Sequence, residues 1–125
     1  MAKIFYMVRA ESNAKIDKLI AQVEKEFNVE AIATALMDLR EDALKDEDPL
    51  LAKTFRLAAE YIRENECFDH TVEKEENEEG EEFLLEPGTD NENLIYLLQL
   101  IKKSENKFNR EEIKEMRTFL KLKLY

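Results

Sequence analysis

The chain has 125 residues, of which 44% are hydrophobic and 38% are charged, and its formal net charge at pH 7 is −10. This length suffices for one domain with its own core, and the composition is typical of a helical globule with charged outer faces. Two glycines and two prolines argue against a turn-rich β fold, and the acidic balance argues against a general nucleic-acid binder.

The negative charge is concentrated in one segment, which we call the acidic connector (residues 67–88). It holds nine acidic residues and one lysine, a net charge of −8, whereas residues 102–125 hold eight basic and four acidic residues. The sequence therefore predicts a single domain over residues 1–125 in three parts. These parts are a helical part at 13–66, the acidic connector, and a helical hairpin at 89–125.

The apolar run at residues 3–8 (KIFYMV) is rich in strand formers, although its periodicity also fits a first helical turn. It is too short for a signal peptide or a membrane span. The single cysteine, Cys67, cannot form an internal disulfide, which indicates a reducing compartment. These features predict a cytoplasmic protein that does not enter a membrane.

Two sets of apolar residues recur every three or four positions after residue 13, as expected of amphipathic helices. The five residues from Phe27 to Ile32 put the second set about 140° out of phase with the first. A break at Asn28 resolves this, since asparagine tolerates the left-handed conformation that ends helices. The predicted helices span residues 13–27 and 29–45.

Two further helix starts are indicated by capping residues. Asp48 can cap a third helix, with Pro49 at its first position. Thr89 and Glu92 have the spacing of a capping box for a fourth helix. Apolar residues then fill nearly every direction of residues 94–101, which predicts either a central helix or a face covered by a second copy in a homodimer.

The fifth helix is predicted to begin at Asn109 as N-cap, with Glu112 three residues on. Residues 119–125 (FLKLKLY) also alternate with the period of a strand. The predicted fold is therefore mainly α, a compact bundle of about five helices with an acidic loop or small β-hairpin at about 68–88. That hairpin would pair residues 68–74 with 82–86, and an α+β fold with terminal strands is the second choice.

The glutamates of the acidic connector are the predicted partner-binding residues, because charge this dense stays solvated and attracts a basic protein surface. An extreme form is an inhibitor that competes with nucleic acid for a nucleic-acid-binding protein, its carboxylates replacing phosphates. The predicted binding residues are Glu73, Glu75, Glu76, Glu78, Glu79, Glu81 and Glu82.

A calcium site is an alternative prediction. Glu75, Asn77, Glu79, Gly80 and Glu86 occupy positions 1, 3, 5, 6 and 12 of a twelve-residue window that resembles an EF-hand loop. The resemblance implies calcium ligands at Glu75, Asn77, Glu79 and Glu86. The window departs from the EF-hand pattern at position 1, where aspartate is usual, and after position 12, where Pro87 and Gly88 interrupt the exiting helix.

A third prediction is nucleic-acid binding by the basic C-terminal helix pair. Four interspersed glutamates and the charge of the whole chain oppose it, so direct nucleic-acid contact is not the leading expectation. The basic residues are Lys102, Lys103, Lys107, Arg110, Lys114, Arg117, Lys121 and Lys123.

Catalytic motifs are absent from the sequence. Two glycines cannot build a phosphate-binding loop, and neither serine lies in a nucleophile-elbow motif, so no cofactor is predicted. Cys67 and His70 could form a thiolate pair or half of a zinc site, but Glu64, Glu66 and Asp69 should raise the pKa of the thiol. The sequence therefore predicts a non-enzymatic protein.

Overall fold

The computed structural model describes residues 10–69, 74–76, 82–84 and 88–125. Within them the fold is mainly α, five helices with one two-stranded antiparallel hairpin between the third and the fourth, as predicted. The elements are α1 (Ala10–Lys25), α2 (Val29–Lys45), α3 (Pro49–Asn65), β1 (Lys74–Glu76), β2 (Glu82–Leu84), α4 (Asp90–Lys102) and α5 (Lys107–Leu124). The strand predicted at residues 3–8 lies outside the described residues.

Helix α3 is the centre of the bundle. Ten of its seventeen residues are buried, and it packs against α2 on one side and α5 on the other. Lys53, Arg56 and Glu60 form a narrow, half-exposed stripe along its length. As predicted, Asp48 caps this helix and Pro49 begins it, which preorganises its first turn.

The break between α1 and α2 falls at the predicted residue for a different physical reason. Asn28 does not adopt a left-handed conformation to end α1; its φ of −93° is extended, and it is the N-cap of α2. Its side-chain oxygen accepts a hydrogen bond from the backbone N–H of Ala31 at 3.0 Å. Helix α1 begins at Ala10, three residues before the predicted start.

Helix α4 lies between α1 and α5, which cover most of its apolar residues. The predicted capping box is present: Thr89 accepts from the N–H of Glu92, and Glu92 accepts from the N–H of Thr89. The helix buries Leu94, Leu97, Leu98, Leu100 and Ile101. A second copy is therefore not needed to cover its leucines.

Helix α5 differs from the prediction at both ends. Its N-cap is Asn106, which accepts hydrogen bonds from Phe108 and Asn109, so the predicted cap at Asn109 was wrong. The side chain of Asn109 instead donates to the carbonyl of Lys103 at 3.1 Å. The strand considered for residues 119–125 is also wrong, because α5 continues to Leu124.

Two polar contacts hold α5 alongside α3 in a roughly parallel orientation. The carboxylate of Asp48, which is 0% exposed, pairs with Arg110 at 2.5 Å and accepts from the N–H of Leu51 at 3.3 Å. At the other end, the hydroxyl of Tyr125 donates to Glu60 at 2.7 Å. A buried carboxylate is costly unless it is paired, so the first contact fixes where α5 begins against α3.

Helices α2 and α3 both end through a glutamate in the left-handed conformation. Glu47 has a φ of 57° and Glu66 a φ of 56°. Glycine usually occupies such positions because a Cβ atom is strained there by about 1–2 kcal/mol. With two glycines in the whole chain, this fold retains that strain at both helix ends.

We expect Glu66→Gly to raise the free energy of unfolding by about 0.5–1 kcal/mol, because glycine relieves the left-handed strain at a modest entropic cost. The control is Glu64→Gly, at an exposed position inside α3, which should lower stability by about 1 kcal/mol. Urea unfolding measures both. Equal destabilisation by the two substitutions would contradict the strain at Glu66.

Candidate functional site

The acidic connector contains the hairpin, and the described strands include three of the seven predicted partner-binding glutamates. Strand β1 holds Glu75 and Glu76, and β2 holds Glu82. The register pairs Glu75 with Phe83 and Glu76 with Glu82. Of the predicted pairing of residues 68–74 with 82–86, the described strands include Lys74 opposite Leu84, and residues 70–73 and 85–87 lie outside the described residues. The other four glutamates, Glu73, Glu78, Glu79 and Glu81, lie outside the described residues.

Both ends of the acidic connector are held by one side chain, that of Asn93 on α4. Its amide nitrogen donates to the carbonyl of Phe68 at 3.0 Å and to the carbonyl of Gly88 at 3.4 Å. Asp90 accepts from the backbone N–H of Phe68 at 3.2 Å. These three bonds, which we call the clamp, bring the start and the end of the connector side by side at the first turn of α4.

The clamp requires glycine at residue 88. A Cβ atom there would lie 2.5 Å from the side-chain oxygen of Asn93. Asn93 is 5% exposed, and its amide nitrogen is committed to two carbonyls, so it cannot turn away without breaking the clamp. Gly88 therefore serves a close approach of side chain to backbone rather than an unusual backbone angle.

Phe68 anchors the connector to the core. Its side chain is 0% exposed and meets the ring of Tyr61 edge-on, with ring centroids 6.2 Å apart. The hydroxyl of Tyr61 donates to Asp69 at 2.5 Å. Burial, together with that carboxylate, raises the pKa of Tyr61 above its usual range. Phe68 therefore closes the core, and Asp69, the first acidic residue of the connector, is tied to α3.

The thiol of Cys67 is half-buried and is not activated. Burial raises its pKa, and the neighbouring carboxylates Asp69 and Asp90 raise it further. The direction agrees with the prediction, but among the predicted carboxylates only Asp69 contributes. A nucleophilic cysteine needs the opposite, an electropositive setting. His70 lies outside the described residues, so its pairing with Cys67 stays a prediction.

Strand β2 and two of the three residues of β1 lie within the calcium window, residues 75–86. An EF-hand is a helix–loop–helix unit, whereas β1 and β2 pair across residues 77–81 here. Asn77, Glu79, Gly80 and Glu86 lie outside the described residues, so calcium binding stays a prediction. Among the residues that the structure does describe, no three histidine, cysteine or acidic side chains are arranged to hold a metal ion.

The eight C-terminal cations do not form one surface. Four have partners inside the chain: Lys102 pairs with Asp17, Arg110 with Asp48 and Lys114 with Glu111, and Lys123 lies over the ring of Phe119. Arg117 and Lys121 instead approach Lys53 of α3, a cation more than sixty residues away in the chain. Sequence reasoning missed this convergence, because only the packing of α5 on α3 brings these residues together.

A groove of about 760 Å³ lies between α1 and α2. Its apolar floor includes Leu19, Ala35 and Leu39, and Lys15 on its rim pairs with Asp38 at 3.1 Å. Neither a histidine nor a cysteine lines this groove.

No family model, curated protein or solved structure matches the chain. None of the described helices combines the length and the apolarity needed to cross a membrane.

The clamp predicts an energetic coupling between two residues. Asn93→Ala should lower the free energy of unfolding by about 1–3 kcal/mol, because it leaves two carbonyls without their donor. Gly88→Ala should also destabilise, but less when Asn93 is already alanine, giving a coupling energy of about 0.5–3 kcal/mol. Urea unfolding of the double-mutant cycle measures this coupling.

Gln99→Ala on the exposed face of α4 is the control for these variants and should change stability by less than about 0.5 kcal/mol. Additive effects of the Asn93 and Gly88 substitutions would contradict the clamp.

The raised pKa of Cys67 predicts a shifted alkylation profile. In the folded protein, the iodoacetamide reaction should have its pH midpoint above the ordinary value of a cysteine thiol. Unfolding in guanidinium chloride should return the midpoint to that ordinary value. The pKa of the thiol is higher in the folded state, so the unfolded thiol ionises first as pH rises. The free energy of unfolding should therefore decrease as pH rises above the unfolded pKa of Cys67. A folded midpoint below the unfolded one would contradict this account.

Proposed function

We propose that this protein is a non-enzymatic interaction module that binds a basic surface on a protein partner through its acidic connector. The observation that carries this proposal is the clamp. It returns the chain to its starting point, so a segment of net charge −8 leaves and rejoins the helical body at one place.

The charge distribution supports the same proposal. Outside the acidic connector, 18 basic and 20 acidic residues nearly balance, so most of the net charge of −10 belongs to residues 67–88. Many charges of the body are paired between helices, as Lys15 is with Asp38 and Asp42. A cationic partner approaching the molecule therefore meets its strongest field at the connector.

Among the residues whose burial the structure describes, the apolar core comes from the five helices and from Phe68 of the connector. Among the described elements, strands β1 and β2 contact mainly each other. Competition with nucleic acid for a basic protein is one form that binding through the connector takes.

We expect the protein to bind a labelled oligolysine peptide with an affinity that falls as salt rises, because surface charges are screened within about 10 Å at 0.1 M salt. Changing Glu73, Glu75, Glu76, Glu78, Glu79, Glu81 and Glu82 to glutamine lowers the connector charge from −8 to −1. That variant should bind at least about tenfold more weakly, since the local field steers and holds the cation. Fluorescence anisotropy across a salt series measures the affinity.

A second seven-fold variant controls for total charge. It replaces exposed helical or helix-end glutamates with glutamine and has the same net charge of −3. The replaced residues are Glu11, Glu24, Glu26, Glu64, Glu66, Glu105 and Glu115. This control should bind nearly as the wild type does. Equal loss in both variants, or no loss in the connector variant, would overturn the proposal. The same three proteins, used as baits in source-cell extract, separate a connector-dependent partner from background.

A further inference from the structure

The seam between α3 and α5 holds a row of cations, which we call the basic strip. Helix α3 contributes two and α5 contributes five. The members of the basic strip are Lys53, Arg56, Lys107, Arg110, Lys114, Arg117 and Lys121.

The five cations of α5 lie on one flank of the helix. Their spacings of three, four, three and four residues keep them in line along a length of about 21 Å. The other flank carries Glu112 and Glu115, and Glu112 accepts a hydrogen bond from Tyr96 of α4 at 2.6 Å. Helix α5 therefore carries Glu112 and Glu115 on the flank that faces α4 and five of its six cations on the flank that faces α3.

Some members of the basic strip are neutralised by partners inside the chain. These pairs are Arg110 with Asp48, Lys114 with Glu111, and Arg56 with Glu60.

The centre of the basic strip lacks such partners. Within the described part of the chain, no carboxylate lies at ion-pair distance from Lys53, Arg117 or Lys121. Repulsion by Lys121 lowers the pKa of Lys53, and burial, Arg117 and Arg56 lower it further. Cations are thus held together without compensation, and an anion bound there would relieve their repulsion.

The extent of the strip favours a short anionic segment over a nucleic acid. Along α3 it is bounded by Glu47 before the helix and by Glu60 and Glu64 near its end. A phosphate backbone continues beyond about 21 Å on both sides and would meet these acids. A hairpin with strands as short as β1 and β2 is about 10 Å long at about 3.4 Å per residue and can end within the strip.

We propose that the basic strip binds the acidic connector of a second copy of this chain. The inference rests on the proposed function, since it names the basic surface that the connector meets. Charge complementarity supports it: the connector has a net charge of −8, and the cations at the centre of the strip are unmatched. Every copy also supplies both surfaces at equal concentration.

Sedimentation velocity of the purified protein tests the inference. At about 0.02 M NaCl the wild type should associate as its concentration is raised, and at about 0.5 M NaCl it should sediment as a monomer. The variant Lys53→Gln/Arg117→Gln/Lys121→Gln should remain a monomer at both salt concentrations. It should unfold at no lower temperature than the wild type, because the substitutions remove repulsion.

A matched control removes the same two lysines and one arginine from elsewhere, as Lys18→Gln/Lys25→Gln/Arg40→Gln on α1 and α2. It has the same net charge of −13 as the strip variant and should associate as the wild type does. Association that persists in the strip variant, or a wild type that stays monomeric at low salt, overturns the inference.

Mixing identifies the two surfaces. The strip variant keeps its connector, and the seven-glutamine connector variant keeps its strip, so neither should associate alone. A mixture keeps one of the two contacts of a reciprocal dimer and should form a heterodimer, at a higher concentration than the wild type needs. A mixture that stays monomeric overturns the inference and indicates that the connector contacts the strip of its own chain. Binding of a single-stranded oligonucleotide to the strip without self-association overturns it in favour of nucleic acid. In either case, oligolysine binding that depends on the connector would leave the proposed function standing.

Discussion

The acidic connector depends on one side chain amide, that of Asn93. An amide nitrogen has two hydrogens, and here they satisfy the carbonyls of Phe68 and Gly88, twenty residues apart. Both carbonyls sit at the edge of an apolar core, where an unpaired polar group is costly. The two ends of the connector are thus held at one point on the body, at Asn93. This constraint fixes both ends of a highly charged segment against the folded body.

The same separation explains how the body tolerates so many charges. Its helices are joined by ion pairs such as Lys15 with Asp42 and Lys102 with Asp17, which are partly exposed and contribute little each. Asp48 with Arg110 differs, because a fully buried carboxylate has no water to stabilise it. One pair therefore fixes geometry, and the others mainly balance charge. Two places concentrate charge of one sign, the acidic connector and the centre of the basic strip.

Local chemistry made much of the fold predictable, and the predictions failed where tertiary packing decided. Asp48 with Pro49, and Thr89 with Glu92, start helices through bonds within one turn, so sequence spacing suffices. Asn106 and Asn109 offer similar caps, and the choice between them depends on the turn that brings Asn109 to Lys103. Asn93 was missed because its partners are backbone carbonyls, for which no side-chain pattern exists. Gly88 was interpreted through its neighbour Pro87 as a helix breaker, although its role is to leave room for Asn93.

The basic strip shows how packing can create a surface that neither helix has alone. Along α5 the cations are interrupted in sequence by glutamates, and only helical geometry sorts the two signs onto different flanks. Helix α3 then adds Lys53 and Arg56 from the opposite side of the seam.

A strip and a connector on one chain can engage another copy in two ways. If each connector meets the other copy's strip, the contact is reciprocal and closes as a two-fold dimer. If each copy engages a different neighbour, the contact is open and propagates. The reciprocal form gains from effective concentration, because the second contact becomes intramolecular once the first has formed. Weak, salt-screened charge pairs can then accumulate into a closed dimer, which favours the reciprocal arrangement.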